Sequence, residues 1–451
     1  MPVKGDNSHK TDRQFCTSHS TASLSDVDAD WIVRKTETKV AEAVDKSSFI
    51  KENCTLYKLP KFSHEDFELD DEVLATGGFC QVRAINKFLV PSDCLDRNSV
   101  EPRKYVIKHL APKLVDKPKQ LAIGANDLVM EGFIMSSLHH ENILEVKGFA
   151  SSGVSGYATT GRIDGFFLIL PRLDKTLYKQ LHEWRAALKH LRRKDEAKLA
   201  RSSGSSSLSS ITEATASESE ETQDIAGCSN GSKVDTKPFP FCVERIQTAV
   251  EIASAIGYCH EKRILYRDLK PANIGYSFGT YIVDWNLWVC IVLSLAWLFH
   301  STWSHPIENR THHLHRPSEE DRIKLFDFGL AVELPPSNDP EATFKLPGNT
   351  GTARYMSPEV INTVPYGLKA DVFSFSMLLY EIMALSKPFD KLTGKEVKEE
   401  VAVLGHRPSI DKSWPLPIRR LLRRGFSETP ELRPTMEEVE DILEDLVESF
   451  H

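Results

Sequence analysis

The chain has no CxxC pair, and its eight cysteines lie scattered along 451 residues. That pattern argues for reduced thiols in an intracellular compartment rather than a disulfide framework. No apolar segment follows the start, MPVKGDNSHKTDRQFC, so no secretory signal is expected. Pro2 stands where N-myristoylation requires glycine, which excludes that anchor. Positive charge is not in excess. With 56 Lys and Arg against 64 Asp and Glu the net charge is −8, and no nucleic-acid footprint is expected. Metal-ligand spacing is lacking as well, because the HHLH run at 312–315 has no second ligand set at a suitable interval. Internal repeats are absent, and so are long apolar runs, with one exception: WNLWVCIVLSLAWLF at 285–299.

What is present bounds the fold. A hydrophobic content of 41% supports a sizeable core, and the length fits two or three average domains or one large domain with additions. Residues 1–60 are rich in Ser, Thr, Asp and Lys, and are expected to be mostly disordered, with one short helix around 31–47. From Phe67 the runs FELDDEVLA, QVRAINKFLV and KYVIKHL read as strands. A helical stretch, DLVMEGFIMSSLHH, precedes two further β-type runs, ILEVKGFA and GFFLILPRL. Five strands and one helix predict a small sheet-rich lobe. Residues 183–240 form a low-complexity insertion, basic and helix-prone first, then Ser/Glu-rich. Its basic cluster reads either as a localisation or docking patch or as a solvated helix extension. Beyond Cys242 the apolar positions Ile246, Ala249, Val250, Ala253 and Ile256 recur at helical spacing. DVFSFSMLLYEIMAL, LPIRRLLRRGF and MEEVEDILEDLVESF repeat that character. The fold class is therefore α+β, a small β lobe followed by a larger, mainly α lobe.

The chemistry sits in YRDLKPAN (266–273), DFG (327–329) and GTARYMSPE (351–359). With these motifs in this order, residues 67–450 resemble a eukaryotic protein kinase. The resemblance implies the bilobal kinase fold, ATP and Mg2+ as cofactors, and transfer of the γ-phosphate to protein hydroxyls. Phosphoryl transfer needs a held phosphate, neutralised charge and an oriented nucleophile. By resemblance Asp268 accepts the hydroxyl proton, Lys270 reaches the γ-phosphate, and Asn273 with Asp327 holds magnesium through oxygen ligands. Lys108 in YVIK matches the lysine that grips the α- and β-phosphates, and Glu131 matches its ion-pair partner. Ala75, Gly77, Gly78, Val82, Leu170 and Leu173 match the nucleotide-lining positions, Leu170 as gatekeeper and Pro171–Leu173 as hinge. Core packing accounts equally well for Leu170.

Several positions depart from the family pattern. In ATGGFCQV (75–82) only Gly77 keeps its glycine, and Ala75 and Cys80 replace the other two, so weakened or altered ATP binding is expected. Tyr266 replaces the usual His as a packing and hydrogen-bonding support. Ser376 stands where glycine is usual. Arg267 matches the arginine that receives an activation-loop phosphate, with Thr343 and Thr350 as acceptors and Thr350 favoured. Thr352 matches the threonine that bonds Asp268 and Lys270 in Ser/Thr-directed kinases. Glu359 and Arg433 match a buried ion pair, and Asp371 matches the residue that holds the catalytic-loop backbone. The C-terminal run KPFDKLTGKEVKEEV to ELRPT looks most like the tyrosine-kinase-like group, which is mostly Ser/Thr-specific.

The run 285–299 interrupts a hairpin expected between IGYS (274–277) and IKLF (323–326), where loops usually have about 2–5 residues. From Leu287 to Phe299, at ~1.5 Å per residue, it covers roughly 20 Å of a ~30 Å hydrocarbon core. One crossing would also put Asn273 and Asp327 on opposite sides of a bilayer. Three readings stay open: a membrane-surface segment, a helix docked on the lobe, and a translated, unremoved intron. The last is favoured. A donor GTA arises if the Thr280 codon ends in G and Tyr281 is TA-pyrimidine, and an acceptor arises if Ser318 is AG-pyrimidine. The reading frame is preserved.

The sequence thus predicts a cytoplasmic or nuclear Ser/Thr protein kinase with protein substrates and an upstream activating kinase, and with neither nucleic acid nor a membrane as partner. The alternatives are a pseudokinase or scaffold, motivated by Ala75 and Cys80, and a membrane-tethered interaction protein on a kinase fold.

Overall fold

The computed structural model describes residues 23–89, 104–203, 242–277, 322–339 and 341–450, with backbone alone for 195–203 and 242. The 280–318 insertion, including the 285–299 run and HHLH, lies outside these residues, as does the Ser/Glu-rich part of the 183–240 insertion. The chain divides into two compact units. Unit 1 spans Met1–Ser48, Thr55–Phe133 and Val146–Pro171; unit 2 spans Phe49–Cys54, Ile134–Glu145 and Arg172–His451.

In unit 1, β-branched and aromatic residues build one sheet from β1 (Lys61–Phe62), β2 (Phe67–Thr76), β3 (Cys80–Phe88), β4 (Tyr105–Leu110), β5 (Gly148–Ala150) and β6 (Phe167–Pro171). Their order is β1-β5-β6-β4-β3-β2. All pairs are antiparallel except β1 on β5. The sheet has six strands where the sequence predicts five. The added strand has only two residues, too few for any periodicity, and is fixed by packing: Phe62 is buried, its ring centroid 5.5 Å from that of Phe88. Central β4 is buried along its whole length.

In residues 23–60 the sequence reading expected a mostly disordered segment with one short helix around 31–47, and the structure shows more order than that. Helix α1 (Asp26–Lys46) is capped by Ser25, whose side chain accepts from Asp28 N, and carries Asp26 and Asp28 in its first turn. Its buried positions, Ala29, Ile32, Val33, Thr36 and Val40, make one narrow stripe on an otherwise polar helix. That stripe packs on α4 (Gly156–Thr160) and the turn before it, and Leu24 N donates to Gly161 O at 2.8 Å. Helix α2 (Ser48–Asn53) follows α1, and α3 (Pro118–Met135) lies between β4 and β5 in the sequence.

Unit 2 is mainly helical. Helix α5 (Leu177–Ser203) carries the chain into the basic half of the low-complexity insertion as a continuous helix. It is followed by α6 (Cys242–Glu261), α7 (Pro358–Ile361), α8 (Lys369–Ala384), α9 (Gly394–Ala402), α10 (Leu416–Gly425) and α11 (Met436–Glu448). The predicted apolar stripe of α6 is buried: Ile246, Ala249, Val250, Ala253 and Ile256 are all 5% exposed or less. Helix α6 packs against α11 and α8. Short strands β7 (Leu173–Thr176), β9 (Ile274–Ser277) and β10 (Ile323–Leu325) form a three-stranded sheet, while β8 (Ile264–Leu265) pairs with β11 (Val332–Glu333). Antiparallel β9 and β10 meet with Ile274 opposite Leu325, so the segments flanking 278–321 form a hairpin. Among the described residues no helix is long and apolar enough to cross a membrane.

Candidate active site

The loop after β8 is shaped by one fully buried carboxylate. Asp371, in the first turn of α8, accepts from Tyr266 N at 2.7 Å and from Arg267 N at 2.8 Å. Its Oδ2 also lies 3.1 Å from His260 Nε2. Such bonds fix the backbone just ahead of Asp268, where Arg267 holds a left-handed φ of 69°.

Asp268 is 7% exposed and sits in a network of short bonds. Lys270 Nζ donates to its Oδ2 at 2.5 Å, and Thr352 Oγ1 donates to its Oδ1 at 2.7 Å. Lys270 Nζ also reaches Thr352 Oγ1 at 3.2 Å. Asn273 Nδ2 donates to the Asp268 carbonyl at 3.0 Å and to its Oδ2 at 3.1 Å. The carboxylate is thereby oriented by three partners from two segments of sequence.

Asn273, just before β9, and Asp327, just after β10, lie at the same open end of the β9–β10 hairpin, where Phe326 N donates to Asn273 O at 3.0 Å. Asp327 takes a left-handed conformation, φ 65° and ψ 63°. Tyr266 supports this point directly. Its hydroxyl donates to Phe326 O at 2.5 Å, and its ring meets Phe328 edge-on at 5.0 Å. A histidine reaches less far, so the larger ring and its hydroxyl account for Tyr266.

In the other unit, Lys108 Nζ on β4 donates to both Glu131 oxygens at 2.7 Å. Both residues are buried, 8% and 2% exposed, and a buried pair of this geometry costs about 3–5 kcal/mol when one partner is removed. Val82 is opposite Lys108 and also opposite Ala75 in the ladders. Leu170 is opposite Val106, which places it beside Lys108 on the same sheet. Leu173 belongs to β7 in unit 2. A Cβ added at Gly78 would meet nothing within 4 Å, and one at Gly77 only Cys80 O at 3.6 Å. The fold itself does not require glycine there, which fits a loop left open for close approach by a phosphate.

Arg433 donates two hydrogen bonds to Glu359, at 2.6 and 2.9 Å, with the arginine side chain fully buried. Thr343 is exposed. The Thr350 hydroxyl donates to Pro347 O at 2.9 Å, while Arg267 Nε donates to Leu330 O at 2.5 Å. Among the described residues no hydrogen bond joins Thr350 to Arg267. Sequence reasoning missed His260, a lone histidine with no motif around it, and Tyr355, whose hydroxyl donates to Glu381 at 2.6 Å. Burial pushes the Glu381 carboxyl and the Tyr355 hydroxyl above their ordinary pKa values.

Comparison with known proteins agrees with this geometry. The family model described as protein tyrosine and serine/threonine kinase matches residues 313–443. Mitogen-activated protein kinase kinase kinase 7 of Homo sapiens is 36% identical over 220 residues, 48% of this chain and 28% of that protein. Dual specificity protein kinase shkB of Dictyostelium discoideum is 30% identical over 210 residues, 46% of this chain and 25% of its own length. Serine/threonine-protein kinase STY17 of Arabidopsis thaliana is 27% identical over 202 residues, 45% of this chain and 27% of that protein. The matched part thus amounts to about a quarter to three tenths of these relatives. The chain is thus similar to eukaryotic protein kinases, and most of all to Ser/Thr kinases of the tyrosine-kinase-like group.

Proposed function

We propose that the protein is an ATP-dependent Ser/Thr protein kinase whose reactive carboxylate is Asp268. The observation that carries this reading is the orientation of Asp268 by Lys270, Thr352 and Asn273. Bound Mg-ATP supplies the phosphoryl group and the charge neutralisation that its transfer requires. Asp268 accepts the proton of the incoming hydroxyl, and Lys270, already beside it, offsets charge on the transferred group. Asn273 and Asp327 offer oxygen ligands of the kind magnesium prefers. Lys108, fixed by Glu131, is the cation for the inner phosphates, and Ala75, Gly77, Gly78, Val82, Leu170 and Leu173 line the nucleotide. The Lys270–Thr352 contact supports Ser and Thr hydroxyls as acceptors.

Protein substrates, an upstream activating kinase acting at Thr350 or Thr343, and a cytoplasmic or nuclear location belong to the same proposal. So does the reading of 281–317 as a translated intron within a kinase domain of 67–450. A binding-only role would rest on Ala75 and Cys80. Autophosphorylation of the wild type and of Asp268→Asn separates the two: loss of signal in the variant supports catalysis, and equal signal in both contradicts it.

A further inference from the structure

Ala75 and Cys80 remove two of the glycines that the nucleotide loop usually has, yet neither residue is among those with positive φ. The loop is tied down at three successive points. Gly77 N donates to Cys80 O at 2.7 Å, which closes the turn between Thr76 and Gln81, partners in the β2–β3 ladder. Lys113 Nζ reaches over to Gly77 O at 2.9 Å. Ala111 N donates to Phe79 O at 2.8 Å. Gly124, on α3, completes the seat. A Cβ there would lie 2.8 Å from Phe79 Cβ and 3.1 Å from Leu110 Cδ2, so Phe79 rests where only glycine leaves space. The anchors at Ala111, Lys113 and Gly124 come from one short stretch of chain, and all of them belong to unit 1.

We propose that Lys113 and Gly124 are positioning residues for nucleotide binding, holding the loop tip in place of the two missing glycines. A glycine-rich loop is mobile and loses conformational freedom when it closes on a ligand. A loop already ordered loses less on binding. Side chains at 75 and 80 are then tolerated, because the backbone no longer has to explore conformations that only glycine allows. Lys113 acts through the Gly77 carbonyl, and Gly124 through the ring of Phe79. This inference rests on the ATP reading above.

The test is a titration of the full chain with a fluorescent ATP analogue in the presence of magnesium, alongside the thermal midpoint of each variant. If the wild type binds no nucleotide, the ATP reading itself falls, and this inference with it. With a binding wild type, Lys113→Met is expected to weaken affinity about fivefold, the factor that ~1 kcal/mol represents for one lost hydrogen bond. Lys113→Arg is expected to restore affinity to within about twofold of wild type. Gly124→Ala is expected to weaken binding more than Lys113→Met and, because its Cβ overpacks against Phe79, to lower the midpoint as well. Wild-type affinity in both Lys113→Met and Gly124→Ala would overturn the proposal. So would an affinity loss in Lys113→Met that appears only in step with a falling midpoint.

Discussion

Tyr266 replaces an expected histidine, and its hydroxyl is what ties the loop after β8 to Phe326, the residue before Asp327. Tyr266→Phe keeps the edge-on contact with Phe328 but removes that donor. Autophosphorylation by this variant is expected to fall about three- to tenfold, with a stability loss of ~1 kcal/mol by denaturant titration. A second residue-scale effect is pH-dependent. Burial pushes His109 on β4 below its ordinary pKa of 6.5; Asp164 and the Leu110 carbonyl pull it up, while Arg83 and His64 push it down. The unfolded chain therefore takes up a proton near 6.5 before the folded state does. The stabilisation is present above that value and is lost as pH falls through the folded pKa. His109→Leu should flatten the stability curve below about pH 6.5, by at most ~1.4 kcal/mol per pH unit. His140, also lowered by burial, leaves part of the slope in place. Residues inside motifs were legible from sequence because their neighbours identify them. Lys113, Gly124 and His260 were not, because each acts through a partner distant in sequence.

Elements with strong periodicity were equally legible: α6, α8, α10 and α11 lie within a few residues of their apolar patterns. Of α1 only a short helix around 31–47 was expected, because its apolar stripe is diluted by charged residues on its other faces. The two-residue β1 exists only through its pairing with β5. The glycine missing at Ser376 also has an answer at this scale. Ser376 Oγ donates to Val372 O at 2.8 Å, and the hydroxyl occupies space that Gly425 on α10 leaves open. A Cβ on Gly425 would lie 2.9 Å from Ser376 Cβ and closer still to its Oγ. Gly425→Ala is therefore expected to cost about 1–3 kcal/mol by overpacking. Adding Ser376→Gly should recover most of the loss. Equal stabilities of the two variants, measured by thermal unfolding, would show that α8 and α10 do not compete for this space.

For the whole molecule, the central question is what residues 278–321 interrupt. Ser277 N and Oγ both donate to Arg322 O, at 3.2 and 3.0 Å, so the chain leaves and returns at adjacent points of one hairpin. A deletion of 281–317 would join 280 to 318 and leave only residues 278–280 and 318–321 between Ser277 and Arg322, a connection somewhat longer than the usual hairpin loop of about 2–5 residues. The deleted chain is expected to keep its thermal midpoint and to be at least as soluble as the full chain; a midpoint lower by ~10 °C would mean that the segment is part of the fold. Sequencing of the transcript should also find a species lacking codons 281–317. Sequence alone marked this segment because its apolarity contrasts with its polar flanks, and because those flanks belong to one site.

The most direct measurement is autophosphorylation with labelled Mg-ATP by the chain with and without 281–317, each paired with Asp268→Asn. Phosphate incorporation that depends on Asp268, at least as strong in the deleted chain, is the expected result. Incorporation unchanged by Asp268→Asn in both forms, or absent from both wild-type forms, would contradict a catalytic role for Asp268.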